Sequence, residues 1–212
     1  MKAMILGAAG QIGRMVTDDV LAQSDLDLVL YGRNVTTRLA DKASDRVTLV
    51  DGTFEENDKI KQNLSDVDMV YISYVATPDI MQSLIDDMDA TGVKRLIALS
   101  IPDIYQEVTG PFQAWYRQHT GLTWQSDRAE SAKILEASDL DYVLLRVTWL
   151  YNQEGNTKIE VSKKGEPFKD AQITREAVAQ FVTDLLDGKE DYHRESLGVG
   201  EPGTEWSKPS FY

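Results

Sequence analysis

KAMILGAAGQIGRMV, residues 2–16, decides the fold. A short apolar run over residues 3–6 reaches three glycines at three-residue spacing, Gly7, Gly10 and Gly13, and passes into the amphipathic stretch Ile12, Val16, Val20, Leu21. Strand, glycine turn and helix follow in the order a pyrophosphate cradle needs. Gly7 lets the chain leave the strand through a turn that a β-carbon would obstruct, Gly10 lets the backbone approach a pyrophosphate, and Gly13 lets the helix pack tightly on the sheet. The positive end of the helix and its free N–H groups then face the phosphates. The spacing is G-x-x-G-x-x-G and not the commoner G-x-G-x-x-G, so context carries the reading rather than the pattern alone. Gly7, Ala9, Gly10, Gln11, Ile12 and Gly13 are the cofactor-binding candidates of this stretch.

Outward from it, apolar runs at 28–31, 47–50, 69–74, 95–100 and 142–147 read as further strands, rich in Val, Ile, Leu and Tyr as buried parallel strands are. Helical patterns fit between them at 11–23, 36–43, 55–64, 78–91 and 124–138, with one more at 174–187. Each parallel crossover needs a covering helix, so the alternation predicts an α/β, doubly wound parallel sheet, a Rossmann fold. The expected organisation is one unit over 1–212: a dinucleotide-binding core at 1–148, and at 149–212 a small C-terminal cap over the carboxyl ends of the strands.

A chain of 212 residues with 42% apolar content can bury a substantial core. It has no cysteine, which excludes disulfides, a thiolate nucleophile and cysteine metal ligands, and no metal site is expected. A net charge of −13 repels polyanions, so nucleic acid is not expected as a partner. No apolar run approaches the about twenty residues a bilayer needs, and no signal segment precedes the first strand. A cytoplasmic protein without membrane partners is the expectation.

The end of the second strand bears on cofactor choice. An NAD site places Asp or Glu there, about twenty residues past the glycines, to accept from the ribose hydroxyls. This chain has Arg33, while Asp25 and Asp27 lie at the strand's other end. A guanidinium suits a 2′-phosphate, with Asn34, Thr36, Thr37 and Arg38 as further donors, so NADP(H) is favoured and NAD(H) is the alternative. A solvated loop arginine is the competing reading. Asp51-Gly52 after the third strand offers a carboxylate to the adenine amino group, or is simply a polar turn. Tyr74, Val75 and Ala76 after the fourth strand face the adenosine ribose by position.

These segments, with VKRLIALSIPDIY (93–105), ASDLDYVLLRVTWLYN (137–152) and ITREAVAQFVTDLL (173–186), resemble the short-chain dehydrogenase/reductase superfamily. The nearest group is its atypical NmrA-like, NAD(P)H-binding branch, which includes flavin- and biliverdin-reductase-like proteins. The resemblance implies a Ser or Thr beyond strand five and a Tyr-x-x-x-Lys on the next long helix. In that scheme Tyr exchanges a proton with the substrate, and Lys lowers the tyrosine pKa and holds the nicotinamide ribose. Aligned on it, Ile101 takes the Ser/Thr position with Ser100 one residue early, Trp124 the tyrosine and Arg128 the lysine. No Tyr-x-x-x-Lys occurs anywhere in the chain.

The catalytic candidates are therefore Tyr105, Tyr116, His119, Trp124 and Arg128, with Tyr151 as a further proton donor. Arg128 also joins Ser100 among the cofactor candidates. Arg146, at the end of strand six, reads as structural. Phe112, Trp115, Tyr116, Trp124, Trp149 and Tyr151 gather planar groups at the carboxyl edge, either as packing or as a pocket for a flat acceptor. Two readings follow: an NADPH-dependent oxidoreductase acting on a flavin or quinone without side-chain acid catalysis, or a non-catalytic NADP(H)-binding sensor or regulator. The tail 198–212, with Trp206, Phe211 and Tyr212, is expected to be anchored, either closing the pocket or meeting another subunit, which leaves a homo-oligomer open.

Overall fold

The computed structural model describes all residues, 1–212. β1 (Lys2–Leu6), β2 (Asp27–Gly32), β3 (Val47–Asp51), β4 (Met69–Ile72), β5 (Arg95–Ser100) and β6 (Asp141–Val147) are the six expected strands, each within a residue or two of its expected bounds. Their side chains alternate between two cores. In β1, Ala3 and Ile5 enter one cluster while Met4 and Leu6 enter the other. Both faces are buried, which is why these strands read as unbroken apolar runs.

The helices are α1 (Gln11–Gln23), α2 (Val35–Arg38), α3 (Asn57–Asn63), α4 (Pro78–Thr91), α5 (Gly110–Thr120), α6 (Asp127–Ala137) and α7 (Arg175–Leu186). Ile12, Val16 and Val20 of α1 pack with Val178 and Val182 of α7 on one face. Ile60, Leu84, Met88 and Leu135, from α3, α4 and α6, cover the other.

Several expectations change. The helix at 36–43 is the short α2 followed by a 3-10 turn at 40–42. α6 begins at Asp127, leaving Trp124 in the turn before it instead of on its first turn. α5 is absent from the expected helices, although Pro111 at its start and left-handed Gly121 at its end are helix boundary residues.

The segment 149–212 does more than cap. Besides the small parallel pair β7 (Trp149–Tyr151) and β9 (Gln172–Thr174), it supplies β8 (Glu160–Lys163) and β10 (Glu195–Gly200) to the main sheet. The strand order is β3-β2-β1-β4-β5-β6-β10-β8, parallel except for β8 against β10. β10 is hard to see because Gly198 and Gly200 depress strand propensity. Both are there for close approach: a β-carbon on Gly198 would stand 2.4 Å from Ser162 Oγ, and one on Gly200 2.4 Å from Asp170 Cβ.

Candidate cofactor and acceptor site

The strand order reverses between β1 and β4, and an open cleft of about 500 Å³ lies over their carboxyl ends. Gly7, Ala9 and Gly10 from the β1–α1 turn line it with Gly32, Arg33 and Arg38 beyond β2. Ser73 and Tyr74 beyond β4 complete it together with Thr53, Phe54 and Glu55 beyond β3.

The glycines have the roles their positions demand. Gly7 adopts φ +83°, and both Gly7 and Ala8 donate to Tyr31 O, at 2.9 and 3.1 Å. A β-carbon on Gly13 would stand 2.7 Å from Gly7 O and 2.9 Å from Ala8 Cα, so the helix meets the turn at backbone contact. Gly10 is the N-cap of α1 and offers no side-chain cap, and the N–H groups of Gln11, Ile12 and Gly13 have no partner within the protein. Three free donors at the positive end of a helix, beside a turn cleared of β-carbons, fit a pyrophosphate.

β2 itself ends without a carboxylate residue. Arg33 is exposed and makes no hydrogen bond or ion pair within the protein, whereas Arg38 Nη2 and Arg14 Nε both donate to Ala9 O, at 2.7 and 3.2 Å. Arg14 was not singled out by sequence, although it directly follows the third glycine. Asn34 has φ 55° and opens α2, a left-handed position that Asn tolerates.

Asp51 is bonded to the turn that follows β2. Its carboxylate accepts from Thr36 N–H at 2.9 Å and Thr36 Oγ1 at 2.5 Å, bonds that hold it below the usual carboxylate range. Asp51 thus braces the β2–α2 turn, and Gly52, Thr53, Phe54 and Glu55, which follow it, line the cleft. Gly52 is required by Tyr31, whose hydroxyl would lie 2.1 Å from an added β-carbon and donates to Thr53 O at 2.8 Å. Burial pushes that hydroxyl up to about 12.

The rings of Phe54 and Tyr74 stack at 4.9 Å and 20°. Arg128 reaches from α6 across this wall, its guanidinium 5.9 Å from the Tyr74 ring centre and its Nη1 donating to Val75 O at 2.7 Å. Ala76 is buried behind it, as are Ser100 and Ile101 at the end of β5.

The remaining catalytic candidates are dispersed. Tyr105 donates to Glu136 on α6 at 2.5 Å, and burial together with that bond drives its pKa well upward. Tyr116 is buried among Phe112, Val108 and Phe168, and burial raises it too. Tyr151 Oη bonds Glu201 at 2.7 Å. Trp124 lies under the Arg117 guanidinium, 4.7 Å from its ring centre. His119 stacks on Trp115 at 4.4 Å, with Nδ1 2.8 Å from Trp115 O. Arg146, fully buried, pairs with Glu107 and approaches Ser162 O at 3.4 Å, a structural brace.

An open parallel sheet with a glycine-cradled anion site at its switch point defines a Rossmann-type nucleotide-binding protein. The chain belongs to the NAD(P)H-binding family, whose model matches residues 7–189. It is similar to a short-chain dehydrogenase/reductase (wide type) from Veillonella parvula DSM 2008 solved in complex with NADP, with 33% identity over 99% of each chain and a TM-score of 0.93. It is also similar to a Rossmann-fold NAD(P)-binding family protein from Shigella flexneri, at 28% identity over 100% of this chain and 98% of that one, with a TM-score of 0.76. ChuY, an anaerobillin reductase from Escherichia coli O157:H7, shares the fold at 18% identity over 99% and 100% of the two chains, with a TM-score of 0.76. No curated protein matches. The chain is an atypical short-chain dehydrogenase/reductase-like, NAD(P)-binding protein.

Proposed function

We propose that the protein is an NADPH-dependent oxidoreductase that reduces a planar acceptor of the flavin or quinone type, with its proton drawn from water. One observation carries the reading: none of the three tyrosine candidates offers a free acid at the cleft, since the hydroxyls of Tyr105 and Tyr151 bond Glu136 and Glu201 and Tyr116 is buried in a separate ring cluster. Without a positioned acid, ketone reduction loses a factor of about 10²–10⁴. A flavin or quinone is already electrophilic, and for it the protein has chiefly to bind, orient and exclude side reactions.

When bound, the cofactor supplies the hydride. Gly7, Gly10 and the free N–H groups of α1 hold its pyrophosphate, and unpartnered Arg33 pairs with a 2′-phosphate, which supports NADPH over NADH. Arg128, anchored on Val75 O, stands in for the usual lysine and takes the ribose or a phosphate. The proposal extends to a cytoplasmic protein whose partner is this small acceptor. In keeping with that, no helix is long and apolar enough to cross a membrane.

The test follows loss of reduced-nicotinamide absorbance against flavins, quinones and simple carbonyls, beside calorimetric binding of NADPH, NADP⁺ and NADH. Turnover with flavin or quinone but not carbonyls is expected. Tight NADP(H) binding without any turnover would instead mark a redox sensor.

A further inference from the structure

Beyond β5 and β6, rings from three distant segments meet. Trp115 of α5 lies 5.0 Å from Trp149 of β7 and 5.0 Å from Tyr212, and Trp149 lies 5.6 Å from Tyr212. Trp115 already has parallel partners, His119 at 20° and Phe112 at 24°. Trp149 has none, for its ring neighbours Trp115, Tyr116 and Tyr212 stand at 76°, 87° and 83° to it. Its ring pairs are all edge-to-face.

Of those three neighbours Tyr212 is the exposed one, at 56%, against 2% for Tyr116. The segment carrying it is lightly held. Over residues 207–212, one hydrogen bond reaches the rest of the protein, from Ser210 N–H to Gln172 Oε1 at 2.9 Å, while Tyr212 N–H turns back to Pro209 O. Phe211 adds a ring contact to Tyr151 at 5.6 Å.

The platform also lies on the correct edge. β7 starts just past the carboxyl end of β6, and α5 follows that of β5. Arg117 of α5 covers Trp124, which sits about one turn ahead of Arg128 and its bond to the β4 loop at the cleft.

We propose that Trp149 is the stacking platform for the planar acceptor and that Tyr212 holds the guest's place until the acceptor displaces it. The inference rests on the planar-acceptor reading above. A fused ring system lying parallel to the indole buries more apolar area than an upright phenol, and that area is what drives the proposed exchange.

The experiment titrates flavin mononucleotide into the full chain with NADP⁺ present, reading quenching of flavin fluorescence, so that no turnover is needed. Tyr212→Ala removes the competitor and should tighten binding by about 3- to 10-fold, the worth of one ring pair. Trp149→Leu should weaken it by about tenfold or more. Thermal unfolding reports the fold of each variant, and Trp149→Phe, with a smaller loss, serves where Leu unfolds. Weaker or unchanged binding in Tyr212→Ala overturns the place-holder, and unchanged binding in the Trp149 variants overturns the platform. If flavin is bound and reduced alike by all variants, the platform falls and the planar-acceptor reading stands. If NADPH binds but neither flavin nor a naphthoquinone binds or is reduced, both fall together.

Discussion

Over β1 and β2 the carboxyl edge is made of backbone: Gly7 in the left-handed region, Gly13 at contact with the turn, and three N–H groups without partners. Over β5 and β6 the same edge is made of rings, with Trp115, Trp149 and Tyr212 brought from three separate segments and braced by the Asp103–Arg117 pair. The first half works by leaving space and donors free. The second works by filling space, and so can be changed ring by ring without touching the cradle. Backbone geometry tolerates few substitutions because it has few solutions, whereas ring packing has many.

The largest effect should come from the ring half's brace. Asp103 is fully buried and accepts from Arg117 Nε at 2.7 Å, from Arg117 Nη2 at 3.1 Å and from Val108 N–H at 3.2 Å. Asp103→Ala strands a partly buried guanidinium and should destabilise by about 3 kcal/mol. Urea unfolding measures this, and NADPH affinity per folded molecule should hold if the halves are separable.

Gly13→Ala strikes the other half. With backbone atoms at 2.7 and 2.9 Å from the new methyl, the helix must shift away from the turn. NADPH binding should fall by about 30- to 100-fold, some 2–3 kcal/mol by calorimetry, a loss the ring half cannot recover.

A smaller effect depends on pH. Asp170, 7% exposed, lies beside the ring half, where burial first and then Glu160, Glu205 and Glu201 push its carboxyl up to about 7. Between about pH 4 and 7 the native state keeps a proton that the unfolded chain has lost, so stability falls as pH rises through this window and stays low above it. The ceiling is about 4 kcal/mol, and about 1–3 is expected. Asp170→Asn should therefore stabilise the protein at about pH 8 and change little at about pH 4, read from urea midpoints at both.

The smallest change separates cofactors. Arg33→Ala should weaken NADPH binding by about tenfold, near 1.4 kcal/mol, and leave NADH within about twofold. Equal losses for both would mean that Arg33 does not read the 2′-phosphate.

The cradle was legible because its requirements are local: three glycines, a strand before them and a helix after. Asp51 marks the limit of that locality: sequence leaves it as an adenine-facing carboxylate or a polar turn residue, and its bonds to Thr36 across the β2–α2 turn appear only in the tertiary structure. Thr53 and Phe54 were missed as cleft residues because nothing in their own neighbourhood marks the face they present. α5 could have been read from Pro111 and Gly121, but its aromatic content suggested a loop over a pocket.

By itself the sequence determined the strand and helix alternation, the parallel sheet and the glycine cradle, because backbone preference and hydrophobic period act over neighbouring residues. Only the tertiary structure decided that Glu195–Gly200 pairs beside β6, that α7 covers α1's face of the sheet, and that Tyr212 closes on Trp149. Those outcomes depend on contacts between segments far apart in the chain. Each is selected by close packing, such as the missing β-carbons of Gly198 and Gly200, and no local pattern encodes it.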